Sequence, residues 1–162
     1  MQILCLIPAR SGSKGIPDKN IKMFNNKPLI AWTIEQAISS KHAMKIVVST
    51  DSLEYSKIAH SHGAEVPFIR PSNIACDLSL DIEWAKHAIE WLRNNQDYVP
   101  DIVLHLRPTS PLRKVEDIDD ALDIFINNKD YYDSLRSVYK SECIPYKMYH
   151  IENNVLQPIV KT

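Results

Sequence analysis

The chain carries no excess charge of either sign. Its 19 Lys and Arg face 20 Asp and Glu, a formal net charge of −1 over 162 residues. That excludes a global basic field of the kind that holds nucleic acid, so any anion site must come from a local cluster. No apolar run approaches the roughly 20 residues that a membrane-spanning helix needs. The first residues have neither the basic n-region nor the cleavage site of a signal peptide. The expectation is a cytoplasmic protein with neither a membrane nor a nucleic acid as partner. Cysteine is scarce as well. Cys5, Cys76 and Cys143 are odd in number, far apart and off metal-ligand spacing, which speaks for reduced structural thiols rather than a disulfide framework. Internal repeats and low-complexity tracts are missing. Glycine occurs only three times, and two of the three, Gly12 and Gly15, fall in one loop.

That loop is where the chemistry concentrates. The apolar run Ile3-Leu4-Cys5-Leu6-Ile7 empties into Pro8-Ala-Arg-Ser-Gly-Ser-Lys-Gly-Ile-Pro-Asp-Lys-Asn20. Arg10, Lys14 and Lys19 crowd around the two glycines. Backbone N–H groups at glycine can approach an anion closely, and the cations neutralise it. Spacing excludes a Walker A loop and the dinucleotide fingerprint. The loop fits two descriptions: an anion site, or a solvated turn with scattered lysines.

The rest of the chain alternates strands and helices. Strands are predicted over 3–8, 45–50, 65–69, 101–106 and 134–138, with Pro67 marking an edge. Helices are predicted from Pro28 to about Ser40, from Asp51 to Gly63, from about Leu80 to Asn95, and around Ile118 to Phe125. Asp51 is expected to cap the second helix, with Glu54 at the reciprocal position. Ile82, Ala85, Ile89 and Leu92 are expected to face the core from the third. The uninterrupted apolar first strand suits a central parallel strand covered on both faces. The length suits one domain with a real core. The order indicates a mostly parallel sheet between two helical layers, with ligands beyond the carboxyl ends of the strands. Beyond Val138 a small hairpin is expected from 146–151 and 155–159, turning at Asn153-Asn154.

Four blocks carry a family resemblance. Ile7 to Asn20, Ser49-Thr-Asp51, Arg70-Pro71 with Asp77, and Leu106-Arg-Pro-Thr-Ser-Pro-Leu-Arg113 resemble, in order and spacing, the signatures of the acylneuraminate cytidylyltransferases, or CMP-sialic acid synthetases. The first and last blocks are distinctive. Related sugar cytidylyltransferases share the opening block more loosely, and the one that activates 3-deoxy-octulosonate lacks a Pro-Thr-Ser-Pro block like this one. The resemblance implies a three-layer α/β/α, Rossmann-like nucleotidyltransferase, with residues 1–138 as nucleotide-binding domain and 139–162 as the start of a dimerisation segment. It implies a Mg²⁺-dependent homodimer that takes CTP and a nonulosonic acid (sialic, pseudaminic or legionaminic type) and gives a CMP-sugar and pyrophosphate.

Residue by residue, the resemblance puts Arg10 and Lys14 on the phosphates and leaving pyrophosphate, and Lys19 near the α-phosphate. It puts Asn20 on the nucleoside and Arg70 toward the cytosine, with Asp77 and Ser79 also on the nucleotide side. Thr109, Ser110 and Arg113 would line the sugar side. Arg107 departs from the pattern: many sialic-acid members carry Gln there. An Arg favours a carboxylate or a differently decorated sugar, which leaves the identity of the sugar open. Plainer roles fit some of these residues equally. Arg70 precedes a proline on the surface, and Asp77 and Asp81 stand at helical spacing near a helix start, where they would complement its dipole. His60, His62 and His105 are expected to be solvated or packed, Asp117, Asp119 and Asp120 a solvated helix start, and Trp84 and Trp91 a core stripe. Family members continue beyond the position of Thr162 with another basic block, a return strand and two Mg²⁺-binding aspartates. The chain is therefore expected to be a C-terminally truncated member, with metal ligands unknown here. The alternatives are a non-catalytic nucleotide-binding or dimerisation module, or a related nucleotidyltransferase with other substrates.

Overall fold

The computed structural model describes residues 1–138, 148–153 and 155–158. Two compact units divide it, Met1–Asn127 and Asn128–Thr162.

The first unit is built on strand β1 (Ile3–Pro8). It pairs in parallel with β4 (Lys45–Ser49) on one side and with β5 (Ile102–His105) on the other. Beyond β4, Val47 makes one further parallel bridge to Glu65. The expected strand over 65–69 is thus reduced to a single bridge. Pro67 has no N–H to continue the ladder. Between β1 and β4 lie a short hairpin, β2 (Met23–Phe24) with β3 (Lys27–Pro28), and helix α1 (Leu29–Ile38). Asn25 and Asn26 both take left-handed backbone at φ 47 and 66°, the conformation a two-residue hairpin requires.

β1 divides the core in two. Ile3, Cys5 and Ile7 pack with Ile30 and Ile34 of α1, with Tyr55 and Ala59 of α2 (Leu53–Ser61), and with Ile118 and Leu122 of α4 (Val115–Asn128). Leu4 and Leu6 pack with Trp84, Ala88 and Leu92 of α3 (Asp81–Gln96). Side chains alternate across a strand, so a continuous apolar run feeds both layers. Each fully buried Leu or Ile contributes roughly 1.5–3 kcal/mol relative to exposure. The result is a three-layer α/β/α sandwich around a parallel sheet.

Several expectations need correction. Ser52, not Asp51, caps α2, its Oγ accepting the Tyr55 N–H at 3.3 Å. The buried stripe of α3 runs through Trp84, Ala88 and Leu92, with Ala85 and Ile89 only partly buried and Ile82 67% exposed. Residue Asp77 lies four positions before α3 and does not cap it. Residue Asp119 is not merely solvated: it accepts hydrogen bonds from Ser40 Oγ (2.5 Å) and the Lys41 N–H (3.2 Å), and so fastens α4 to the end of α1.

In the second unit no strand forms over 134–138. Leu135 and Val138 are exposed there; three residues apart, they would point to opposite faces of a strand and give it no single apolar face to bury. The hairpin forms as β6 (Tyr149–Glu152) with β7 (Val155–Pro158), and Asn153 takes the left-handed turn at φ 52°. The expected strand positions 146, 147 and 159 lie outside the described residues.

Candidate active site

The sheet order sets the location. Neighbours β4 and β5 flank β1, so the chain moves from one side of β1 to the other. Ligands bind at such a switch point, beyond the carboxyl ends of the strands. The loops after β1, β4 and β5 all emerge there. A cleft of about 190 Å³ opens among them, lined by Arg10, Ser13, Lys19, Asn20, Arg70 and Cys76, and by Asp77, Ser79, Asp81, Trp84, Arg107 and Thr109.

The loop after β1 is fixed from below. The Asp51 carboxylate accepts the Ser11 N–H at 2.7 Å and the Ser11 hydroxyl at 2.8 Å. Next to Ser11, Gly12 takes φ +65°, where a side chain would be strained although nothing crowds it. Asp18 is left-handed too, at φ 50°, and accepts the Tyr55 hydroxyl at 3.0 Å. Burial, and then this bond, push the Tyr55 phenol above its ordinary pKa. Asn20 is 6% exposed and donates to the Arg10 carbonyl at 3.0 Å. Together these contacts hold the loop in one shape.

Arg70 is 3% exposed. Its Nε donates to Ser49 Oγ at 3.0 Å and its Nη2 to the Ser49 carbonyl at 2.5 Å. The same carbonyl accepts the Ala9 N–H at 2.9 Å. The guanidinium lies over the Trp84 ring at 5.5 Å. Burial pulls its pKa down to about 10, which leaves it charged at neutral pH. The surface role is therefore wrong for Arg70: it is a buried cation that faces the cleft.

Two ion-pair groups lie across the opening. Asp77 takes Arg10 Nη2 on Oδ1 and Lys14 Nζ on Oδ2, both at 2.5 Å. The two cations, Lys14 first, hold the Asp77 carboxyl below its ordinary pKa. Arg107 pairs with Asp81, the first residue of α3. Cys76 and Ser79 close a tight turn, the Cys76 N–H donating to Ser79 Oγ at 3.0 Å.

Of the residues expected at the site, Arg10, Lys19, Asn20, Arg70, Asp77, Ser79, Arg107 and Thr109 line the cleft. Lys14 joins through Asp77. Ser110 and Arg113 do not line it. Arg113 is turned back: Nη1 donates to Gln36 Oε1 at 3.2 Å and Nη2 to the Arg107 carbonyl at 3.1 Å. Gln36 in turn donates to the Pro111 and Arg113 carbonyls at 2.8 and 2.9 Å. This clasp shapes the loop after β5. Trp84, Ser13 and Gln36 carry parts of the site that sequence reasoning missed; Asp51, singled out within the Ser49-Thr-Asp51 block and expected as a helix cap, instead holds Ser11. A polar Gln within the apolar face of α1 was the one visible signal. His105 packs its ring edge against Trp84 at 5.0 Å.

Among the described residues, no three His, Cys, Asp or Glu converge where a metal ion could be held. Both cleft carboxylates are already bound by cations. The described residues do not fit a resident metal centre.

A cleft of arginines, a lysine and an amide at a strand switch point suits an anionic ligand by its chemistry, and the cytidylyltransferase family profile matches residues 4–155. The chain belongs to the cytidylyltransferase family. The chain is 44% identical over 124 residues to the CMP-N,N'-diacetyllegionaminic acid synthase of Legionella pneumophila, covering 76% of this chain and 53% of that protein. It is 41% identical over 129 residues to the pseudaminic acid cytidylyltransferase of Campylobacter jejuni, covering 80% and 55%. The N-acylneuraminate cytidylyltransferase of Escherichia coli is 40% identical over 124 residues, 76% of this chain and 28% of that one. The chain thus spans about half the length of the first two relatives. Among solved structures, a CMP-2-keto-3-deoxy-manno-octonic acid synthetase complexed with CTP matches with TM-score 0.65 at 19% identity, over 80% of this chain and 49% of that one. A cytidylyltransferase from Leptospira borgpetersenii matches with TM-score 0.63 at 25% identity, over 80% and 50%. These matches support the three-layer nucleotidyltransferase fold.

Proposed function

We propose that this chain is the nucleotide-binding part of an enzyme that transfers CMP from CTP to a nine-carbon 2-keto sugar acid of the sialic, legionaminic or pseudaminic type. The supporting observation is the convergence of Arg10, Lys19, Asn20, Arg70 and Arg107 on one cleft at the end of β1. The anomeric hydroxyl oxygen attacks the α-phosphorus, the bond to the β-phosphate oxygen breaks, and pyrophosphate leaves. No protein nucleophile is needed; catalysis is positioning and charge stabilisation. Arg10 and Lys14 hold the pyrophosphate end, and Lys19 stands near the α-phosphate. Asn20 and the Nη1 group of Arg70 face the nucleoside, with Ser79 beside them. Arg107 and Thr109 face the sugar acid, and Ser110 and Arg113 belong to the same loop, Arg113 through its clasp with Gln36.

Magnesium belongs to this proposal as the ion that accompanies the triphosphate, since Mg²⁺ is commonly bound through substrate phosphates. Residues 1–138 act as the nucleotide domain and 139–162 as part of a dimerisation segment. Homodimer formation is supported by Ile151, Val155 and Leu156, which are exposed on a hairpin too small to bury them. A cytoplasmic location suits CTP as substrate, and among the described residues no helix is long and apolar enough to cross a membrane. A second function, nucleotide binding without turnover, is favoured by the lack of a carboxylate cluster for metal among those residues.

Pyrophosphate release with CTP, Mg²⁺ and a panel of nonulosonic acids decides between the two. Release with one of these acids supports the transferase; CTP binding without release from any acid leaves the binding module. UTP and ATP run beside CTP test the choice of base.

A further inference from the structure

We propose that Asp77 is a built-in competitor for the triphosphate subsite, displaced when a nucleoside triphosphate enters and returning as pyrophosphate leaves. This rests on the nucleotide assignment of the cleft. One carboxylate bridges Arg10 and Lys14, an oxygen on each at 2.5 Å, as two oxygens of a phosphate group would. These are the two cations assigned to the leaving pyrophosphate. The family resemblance puts Asp77 on the nucleotide side, but here it faces the phosphate cations, where an anion repels phosphate.

The contact is made to be exchanged. The Lys14 side chain is 83% exposed and that of Asp77 33%, so an incoming anion reaches both. Ion pairs this exposed are weak, and a triphosphate of charge near −4 outcompetes a single carboxylate. Asp77 sits in the Cys76–Ser79 turn, closed by the Ser79 N–H to Cys76 carbonyl bond at 3.2 Å. That turn ends before α3 begins at Asp81, so it can shift without unwinding the helix. The device selects by charge. A monophosphate at the α position does not reach Arg10 and Lys14, and gains nothing from displacing Asp77.

The test is calorimetric titration of the whole chain with inorganic tripolyphosphate, CTP and CMP, in wild type and Asp77→Asn. The variant keeps the shape and removes the charge. Tripolyphosphate and CTP are expected to bind roughly three- to ten-fold tighter to the variant, with CMP unchanged. Unchanged or weaker CTP binding in the variant overturns the competitor role alone. Failure of wild type to bind CTP or tripolyphosphate overturns the nucleotide assignment and this proposal with it. A second readout follows the turn itself. In a Cys143→Ser background, alkylation of the exposed Cys76 by iodoacetamide is expected to change rate when tripolyphosphate is added to the wild type. In ligand-free Asp77→Asn the rate is expected to differ from the ligand-free wild-type value as the turn is released. An identical rate with and without tripolyphosphate, at saturating concentration, counts against displacement.

Discussion

Removing the Asp51 carboxylate tests how the loop after β1 is held. Asp51 accepts two hydrogen bonds from one residue, the N–H and the hydroxyl of Ser11, at 2.7 and 2.8 Å. Hydrogen bonds to a charged group are worth about 1.5–3 kcal/mol. Both residues are half-buried, so the lower end applies, about 1.5 kcal/mol per bond. Ser11→Ala removes only the hydroxyl bond and should cost about 1.5 kcal/mol. Asp51→Ala removes both and should cost about 3 kcal/mol, because the Ser11 N–H loses its partner as well. The double variant has no more bonds to lose than Asp51→Ala alone. It should therefore also cost about 3 kcal/mol, a coupling of about 1.5 kcal/mol between the two positions. Urea unfolding followed by tryptophan fluorescence measures this. The chain's three tryptophans are Trp32, Trp84 and Trp91, and all lie in the Met1–Asn127 unit. Tripolyphosphate binding should weaken roughly ten-fold in Asp51→Ala, since the loop must then be ordered on binding. Additive costs in the double variant, or a loss under about 1 kcal/mol for Asp51→Ala, would refute the buttress.

Leu92→Ala, at a fully buried position beneath the sheet, should cost about 2–5 kcal/mol by the transfer and cavity terms, read as a fall in urea midpoint with unchanged m-value. The thiols should differ sharply. Cys76, its pKa lowered chiefly by the Ser79 hydroxyl, should react with iodoacetamide at a pH below the ordinary thiol range, and Ser79→Ala should move that pH dependence up. Cys5, pushed up to about 12 by burial, should stay unlabelled until the chain unfolds. Carboxyl titration by NMR should find Asp77 and Asp123 below the ordinary aspartate range, held there chiefly by Lys14 and by Lys41. A folded pKa below the unfolded one gives stability that is complete above the unfolded value of 3.8. It is lost as pH falls through the folded value, so Asp77→Asn and Asp123→Asn should flatten the acid limb of the stability curve.

Much of the fold was legible because the governing patterns are local. An apolar run with no polar interruption marks β1 as central, and its exit loop shows its cations in plain order. What escaped were contacts between residues far apart in sequence. Asp51 looks like a helix cap because a cap is the local use of an aspartate before a helix. Its true partner is forty residues away, and Ser52 beside it caps instead. Arg113 looks like a site cation because it ends a motif that faces the cleft. Only the packing of α1 against that loop shows Gln36 waiting for it. In α3, periodicity gave the helix but placed its face too near Ile82, since the bulk of Trp84 decides which side goes down. The strand expected at 134–138 had two apolar residues but no single apolar face, since Leu135 and Val138 stand three apart.

A single oxygen has wider consequences. The carbonyl of Ser49 receives both the Ala9 N–H at the root of the loop after β1 and the Arg70 guanidinium that faces the cleft. Both of its lone pairs are committed, so neither partner can shift without the other feeling it. If the proposed nucleotide assignment holds, replacing Arg70 to change the nucleobase will therefore disturb the loop after β1 as well. Changed base preference and weakened polyphosphate binding should arrive as one phenotype. Compensating substitutions should then be sought at the ends of β1 and β4, away from the base itself.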